Sequence, residues 1–309
     1  MERQKYVFAM GGTTIDNYYM VDNWIQLGDK ISCQFVERIL GGPQLNMSSV
    51  LAGYGDKVYF MDAIPRNADG EFVMQSLAER GVDTSCVVRQ ENCKNSEGIL
   101  FVSKREGDRA IFLEQSYCDP IEPSGQMLER IENATYFYTM NRYIGDVLRS
   151  TDCIKRARAA GCKLVIDGEG HYEDQSNLEL LHMADIVLIN DTSYGRLKAC
   201  IGADPAASLL ADAAQVVVMT KGPDGCEVFT REEHFAAPGI PVKAIDTTGA
   251  GDTFAASFLH CLLQGKDLRY AATFANGAAA RLCTILGGGG GIAPEEEVLA
   301  FIRDHGVVL

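Results

Sequence analysis

The stretch best equipped for chemistry is Asp246-Thr247-Thr248-Gly249-Ala250-Gly251-Asp252-Thr253-Phe254, which runs on into Ala255-Ala256-Ser257-Phe258-Leu259. Two glycines and an alanine stand at the mouth of a strongly apolar helical pattern. Small residues there let a ligand come close to the backbone. The first amides of a helix lack intrahelical acceptors, and the helix dipole makes their surroundings positive. The segment therefore reads as a pocket for an anion, a phosphoryl group above all. Asp252 falls in the first turn, beside that pocket. A carboxylate at this point serves either as a cap and partner of the dipole or as a base for an incoming hydroxyl. A plain cap requires neither the three small residues together nor an aspartate placed after them.

These residues need a scaffold. Short apolar runs at 7–10, 58–63, 136–139, 164–167, 186–190 and 216–220 lack a polar face, as do strands of a parallel sheet covered on both sides. Helical patterns at 45–54, 71–80, 146–160, 178–183 and 192–201 fall between them, and three more follow at 250–264, 268–282 and 295–305. This alternation predicts an open α/β sheet with right-handed crossovers. Two regions break it. Residues 18–40 are rich in β-branched and aromatic types. Residues 99–103 and 109–114 flank the turn Lys104-Arg105-Glu106-Gly107-Asp108, a β-hairpin signature. We expect them to pair as a small sheet projecting from the main body, a lid over a cleft.

Composition narrows the function classes. The chain has 309 residues, of which 47% are hydrophobic, a net charge of −14 and a pI near 4.8. Such acidity argues against a nucleic-acid partner, because phosphate backbones need a basic surface. No apolar run reaches the roughly 18–20 residues of a membrane span, and the N-terminus shows no cleavable-signal pattern, so no membrane partner is expected. The ten cysteines form no Cys-x-x-Cys pair and read as small buried thiols of a reduced, cytoplasmic protein. With five histidines and no four-ligand spacing, a zinc site is not expected. No Walker motif or protein-kinase motif set is present. Gly11-Gly12 lacks the third glycine of a dinucleotide fingerprint.

The segment Asp246–Asp252 resembles the C-terminal signature of the ribokinase, or PfkB, family of carbohydrate kinases. Gly41-Gly42-Pro43-Gln44-Leu45-Asn46-Met47-Ser48, Ala52-Gly53-Tyr54-Gly55, Asp69-Gly70-Glu71-Phe72 and Leu77-Ala78-Glu79-Arg80-Gly81-Val82-Asp83 resemble its N-terminal signature. The resemblance runs from about residue 7 to 303. It implies one ribokinase-like domain over 1–309, with a three-layer α/β/α core and a small β-sheet lid formed by about 17–40 and 98–115. It also implies transfer of a phosphoryl group from ATP to a sugar hydroxyl. Asp252 would be the base, and Gly249, Ala250 and Gly251 the anion hole.

The family pattern also implies binding roles. Thr220, Lys221, Gly222 and Gly225 match the nucleotide loop, Asn276 the adenine pocket, and Asn190 the Asn-x-x-Glu motif that organises magnesium. In that motif Ser193 replaces the glutamate, so either Asp191 stands in to order Mg2+ or the nucleotide phosphates mainly hold it. Asp246, Thr248 and the loop from Leu286-Gly287 match a monovalent-cation (K+) site. Asp16, Gly42 and Asn46 match sugar-facing positions; an ionised carboxylate is suited to vicinal hydroxyls. Arg142, at the end of a core strand, and Lys30, in the first lid region, are candidates for an anionic group on the acceptor. Asp167-Gly168-Glu169 and Arg281-Leu282-Cys283-Thr284 look closer to the ketohexokinase and sulfofructose-kinase branch. The acceptor expected is a furanose-form ketose or related sugar, anionic or neutral. One alternative is a nucleoside, pseudouridine or a purine nucleoside, stacked on Tyr18, Tyr19 or Phe101. A second is a non-catalytic sugar or nucleotide sensor. Exposed lid edges favour pairing with a second subunit, so a homodimer through the lid is expected.

Overall fold

The computed structural model describes residues 5–24, 28, 30–104, 109–143, 146–285 and 292–309. The glycine tract at 287–291, Leu286 before it and the turn centre at 105–108 lie outside the described residues.

In chain order the first half contains β1 (Val7–Met10), β2 (Thr14–Val21), β3 (Cys33–Gly41), α1 (Pro43–Gly53), β4 (Val58–Met61), β5 (Ala63–Pro65), α2 (Ala68–Glu79), β6 (Val88–Gln90), β7 (Ser96–Ser103), β8 (Arg109–Glu114), α3 (Gly125–Glu132) and β9 (Tyr136–Met140). The second half contains α4 (Asp152–Ala159), β10 (Lys163–Asp167), α5 (Gln175–Met183), β11 (Ile186–Asn190), α6 (Asp191–Ile201), α7 (Pro205–Ala211), β12 (Val216–Thr220), β13 (Cys226–Phe229), β14 (His234–Ala237), α8 (Ala250–Leu263), α9 (Leu268–Cys283) and α10 (Glu295–Asp304).

Eight strands form the main sheet in the order β14-β13-β12-β11-β10-β9-β1-β4. From β12 to β4 all pairs are parallel; β13 and β14 are antiparallel. Alternation along each buried strand feeds two cores. Val7 and Ala9 join the side packed by α1, α8 and α9, whereas Phe8 and Met10 join the side packed by α3 to α7. Helices on both faces make three layers. Among the described residues no helix is long and apolar enough to cross a membrane.

The second sheet has the order β3-β2-β7-β8. It is built from both regions that break the α/β rhythm, and β2 pairs with β7 in parallel. It begins at Thr14, so Asp16 is a strand residue rather than part of a loop.

Several boundaries depart from the sequence reading. The helix expected over 146–160 starts only at Asp152. Residues 147–149 instead pair with Ile121, whose amide donates to Val147 O at 2.7 Å while Arg149 N donates to Ile121 O at 3.1 Å. The strand expected over 58–63 breaks after Met61. There the Asp62 carboxylate accepts the Ala63 amide at 2.8 Å and turns the chain into β5, which pairs with β6. β13 and β14 escape a search for buried runs because every second residue is partly or fully exposed. The cysteine expectation also needs correction. Cys86, Cys153, Cys162, Cys226 and Cys261 are buried thiols, but Cys33 and Cys200 are exposed and Cys93 forms a disulfide with Cys118. The antiparallel bridge of Lys94 with Tyr117 brings those two positions opposite each other.

Candidate active site

Helix α8 enters through Gly249, whose φ of 80° puts the cap in the left-handed region that glycine tolerates. The first i→i−4 bond runs from Thr253 N to Gly249 O at 2.8 Å, and the Ala250 amide is turned back to Thr247 O at 3.2 Å. The amides of Gly251 and Asp252 therefore lack intrahelical acceptors. A Cβ built on Gly251 would meet nothing within 4 Å, so its outer side is open space. Asp252 is half-buried at this helix end, and its Oδ2 accepts a 2.8 Å hydrogen bond from Asn46 Nδ2. Burial pushes its carboxyl up to about 7, with Glu169 adding to the rise and the Asn46 bond opposing it.

Helix α1 presents Asn46 because its cap is drawn tight against the loop after β1. Gly42 has φ 118°, and a Cβ there would stand 2.7 Å from Gly12 O, so only glycine fits. Arg80 Nη2 donates to Leu40 O at 2.8 Å and holds the approach to that cap. On the neighbouring strand Asp16 lies in register with Ile39 on one side and Gly98 on the other. A Cβ on Gly98 would fall 2.2 Å from Asp16 Oδ1, and one on Gly41 would fall 2.5 Å from Oδ2. Two glycines from two strands thus make room for one carboxylate. Burial lifts that carboxyl to about 6.

Beneath it, buried Asp62 accepts both the Thr13 amide and the Thr13 hydroxyl at 2.8 Å, and Asn95 Nδ2 donates to Thr13 Oγ1 at 2.9 Å. Burial raises Asp62 to about 7. Arg142 is half-buried beside this loop. Its guanidinium carbon lies 5.3 Å from the centre of the Tyr143 ring, which itself packs against Gly12, and its Nε is buried without a partner. Lys30 is exposed, and among the described residues no contact joins it to Arg142 or Asp16.

At the expected nucleotide loop, Thr220 ends β12 and a single 3-10 turn, Gly222–Asp224, follows. Gly225 has φ 90°, and a Cβ there would fall 2.2 Å from Ala237 O, so the loop lies flat against residues 237–239. Lys221 Nζ is ion-paired with Glu227 at 2.9 Å rather than extended from the turn. The Asn276 amide is buried and donates to Ala237 O at 3.0 Å and Pro238 O at 3.2 Å, bracing that loop. Asn190 caps α6 by accepting the Ser193 amide at 2.8 Å. Asp191 is exposed, with Oδ1 taken by the Thr192 amide at 2.7 Å. Among the described residues no group of three or more His, Cys, Asp or Glu could hold a metal ion. These residues do not fit a magnesium site built by protein carboxylates. Asp246 Oδ1 accepts the Thr248 amide at 2.9 Å, closing a turn; the remainder of the expected cation loop lies outside the described residues.

Sequence reading passed over Gly98, Asn95, Asp167 and Glu169 as site residues. Asp167 carried a readable signal, a carboxylate following the buried apolar run Leu164–Ile166. Gly98 carried none, since its value lies in a cross-strand neighbour. Two surface depressions of about 370 and 360 Å³ flank α4, and neither includes a residue of this site.

The family model for pfkB family carbohydrate kinases matches residues 4–295. This chain belongs to that family. It is 26% identical over 278 residues to the ATP-dependent ribose-1-phosphate kinase of Halopiger xanaduensis, covering 89% of this chain and 90% of the relative. It is 27% identical over 275 residues to probable fructokinase-5 of Arabidopsis thaliana, covering 79% and 82%. The structure of Arabidopsis thaliana ribokinase complexed with ribose and ATP superposes with a TM-score of 0.84 at 22% identity, over 97% of this chain and 99% of that one. The fold is ribokinase-like, and the protein is a sugar kinase.

The glycine pair around Asp16 can be tested directly. Gly98→Ala should raise KM for the acceptor at least about tenfold, a loss of roughly 1.4 kcal/mol, with kcat far less affected. Steady-state kinetics at saturating ATP measures this; an unchanged KM would show that Asp16 does not grip the acceptor.

Proposed function

We propose that the protein transfers the γ-phosphoryl group of ATP to a hydroxyl of a furanose-form sugar, a ketose or related sugar that is neutral or anionic, with Asp252 as base. The observation that carries this is the half-buried Asp252 carboxylate, fixed by Asn46 at the open end of α8. Asp252 takes the hydroxyl proton as the acceptor oxygen bonds to phosphorus, and the bond from phosphorus to the bridging oxygen breaks to leave ADP. The outward amides at the start of α8 stabilise charge on the migrating phosphoryl, so positioning and electrostatics supply most of the acceleration. Magnesium enters with the nucleotide, as part of that substrate. A monovalent cation beside Asp246 and Thr248 belongs to the reading, and no step depends on it.

Thr220, Gly222 and Gly225 line the nucleotide loop, with Asn276 bracing it and Lys221 beside it. Asp16 and Asn46 hold acceptor hydroxyls, and the cap at Gly42 sets Asn46 in place. Arg142 takes an anionic substituent; that one relative is a kinase of ribose-1-phosphate supports a charged acceptor. The nucleoside alternative has less support. By strand alternation Tyr19 and Phe101, whose rings lie 5.6 Å apart, point to the face of the small sheet opposite Asp16, leaving only Tyr18 on its side.

The small sheet acts as a lid that excludes water from the transfer. Its far face carries an aromatic row, Phe35, Tyr19, Phe101 and Phe112, with Phe112 61% exposed, and β3 and β8 are free edges. That row and those edges favour a homodimer through the lid.

Coupled ADP-release assays across sugars, sugar phosphates, sugar acids and nucleosides should find turnover. Binding without turnover for every bound ligand would favour a sensor. Asp252→Asn should lower kcat at least about 10³-fold. The same change should raise the thermal midpoint at pH 8. The native carboxyl near 7 stands above its unfolded value of about 3.9, so the native state holds an extra proton between those pH values and loses stability as pH rises through them. Near-normal turnover in this variant would refute the base. Arg142→Ala should impair anionic acceptors about tenfold more than neutral ones; equal losses would remove its assigned role. Sedimentation should give a dimer that Phe112→Glu dissociates, and a monomeric parent would rule the lid interface out.

A further inference from the structure

Cys93 and Cys118 are joined across the base of the β7–β8 hairpin, a sequence separation of 25. Cys93 lies between β6 and β7 and Cys118 follows β8, so the link closes the loop that carries two of the four strands of the small sheet. On the hairpin side, Lys94 N donates to Tyr117 O at 2.8 Å and Tyr117 N donates to Lys94 O at 3.2 Å. On the core side, Gln90 at the end of β6 donates Nε2 to Asp119 O at 2.7 Å and accepts the Asp119 amide at 2.8 Å. The Gln90 clamp is exposed, where water competes for the same groups. The disulfide is the covalent part of this base.

The same link touches the residues that set Asp16. Ala63 O lies 3.6 Å from Cys93 Sγ and 3.4 Å from Cys118 Sγ. Its neighbour Asp62 holds Thr13, Thr13 accepts from Asn95, and Asn95 stands two residues from Cys93, which closes a ring of contacts. Asp16 lies three residues beyond Thr13, and Gly98, in register with it, three beyond Asn95. Ala63 O also offers an acceptor to both thiols of a reduced pair, so neither sulfhydryl is left without a partner. The surroundings accommodate both redox states.

We propose that Cys93 and Cys118 form a reversible thiol–disulfide switch on acceptor binding: the oxidised link holds β7 in register with β2 so that Gly98 leaves room for Asp16, and reduction loosens that register. The proposal rests on the reading of Asp16 as a residue that holds acceptor hydroxyls. The redox partner is a low-molecular-weight thiol and its disulfide. Cys118 is half-buried, whereas Cys93 is 7% exposed, so exchange begins at Cys118. In oxidation the Cys118 thiolate attacks one sulfur of the small disulfide; one small thiol leaves and a mixed disulfide remains. The Cys93 thiolate then attacks Cys118 Sγ, the bond between the two cysteines forms and a second small thiol leaves. Two protein thiols give up two protons and two electrons, and the small disulfide gains them. Reduction runs the same steps in reverse.

The test holds the full chain in reducing or oxidising glutathione buffer and reads the link between residues 93 and 118 by peptide mapping under non-reducing conditions. With whichever acceptor the panel identifies, the reduced protein should show an acceptor KM about fivefold or more above that of the oxidised protein, with kcat at saturating substrates within about twofold. Amide hydrogen exchange across 96–103, measured without acceptor, should be faster in the reduced protein, a readout independent of activity. Cys93→Ala combined with Cys118→Ala should match the reduced protein in either buffer; Cys118→Ala alone decides the matter if the double variant does not fold. Absence of the link in oxidising buffer, an acceptor KM equal in the two states, or a redox response that persists in the folded variants overturns the proposal. Gly98→Ala separates the two readings: if that variant is impaired while KM ignores the redox state, only the switch fails, whereas an unimpaired Gly98→Ala removes the reading of Asp16 itself.

Discussion

The hydrogen bond from Asn46 to Asp252 joins the beginnings of two helices that lie 206 residues apart in sequence. It is the point at which the two halves of the family signature become one site. Helix α8 brings the carboxylate and the open amides, and α1 brings the amide group that holds the carboxylate in place. The contacts behind them reinforce this: Tyr54 and Ser257 meet through their hydroxyls at 2.8 Å, and His260 pairs with Asp56 at 2.7 Å. The apolar stretch of α8 fixes the helix in the core, so the Asp252 carboxylate sits at the end of a well-anchored helix.

That arrangement has an electrostatic cost concentrated in one region. Asp16, Asp62, Asp167 and Asp252 all have their proton affinities raised, in each case chiefly by burial. Only Asp62 is well compensated, by two bonds from Thr13 and one from Ala63. The others meet few donors in a chain of net charge −14. Carboxyl groups placed this way disfavour their charged state, and four of them lie within one chain that is already strongly acidic.

Much of the fold was legible because the parallel strands are short, apolar and doubly covered, a pattern that leaves little ambiguity. The open start of α8 at Gly249–Gly251, with Asp252 in its first turn, was legible because local backbone geometry demands small residues there. What resisted reading were features decided by partners distant in sequence. The antiparallel strands β13 and β14 alternate like surface loops. The segment before α4 has helical composition, but its backbone bonds go to Ile121. Lys221 follows a turn suited to phosphate yet sits with Glu227, six residues away on an antiparallel neighbour. Asn276 looks like a ring-facing residue and instead spends its amide on two carbonyls of a loop. In each case the residue type was right for several tasks, and tertiary contacts selected one.

The space around Asp16 is shared among three strands, since Gly41 belongs to β3 and Gly98 to β7. Anyone transplanting this carboxylate pocket into another scaffold would have to carry all three segments together. A side chain gained at either glycine would demand a simultaneous change at the aspartate, so the three positions are constrained as a bundle rather than residue by residue.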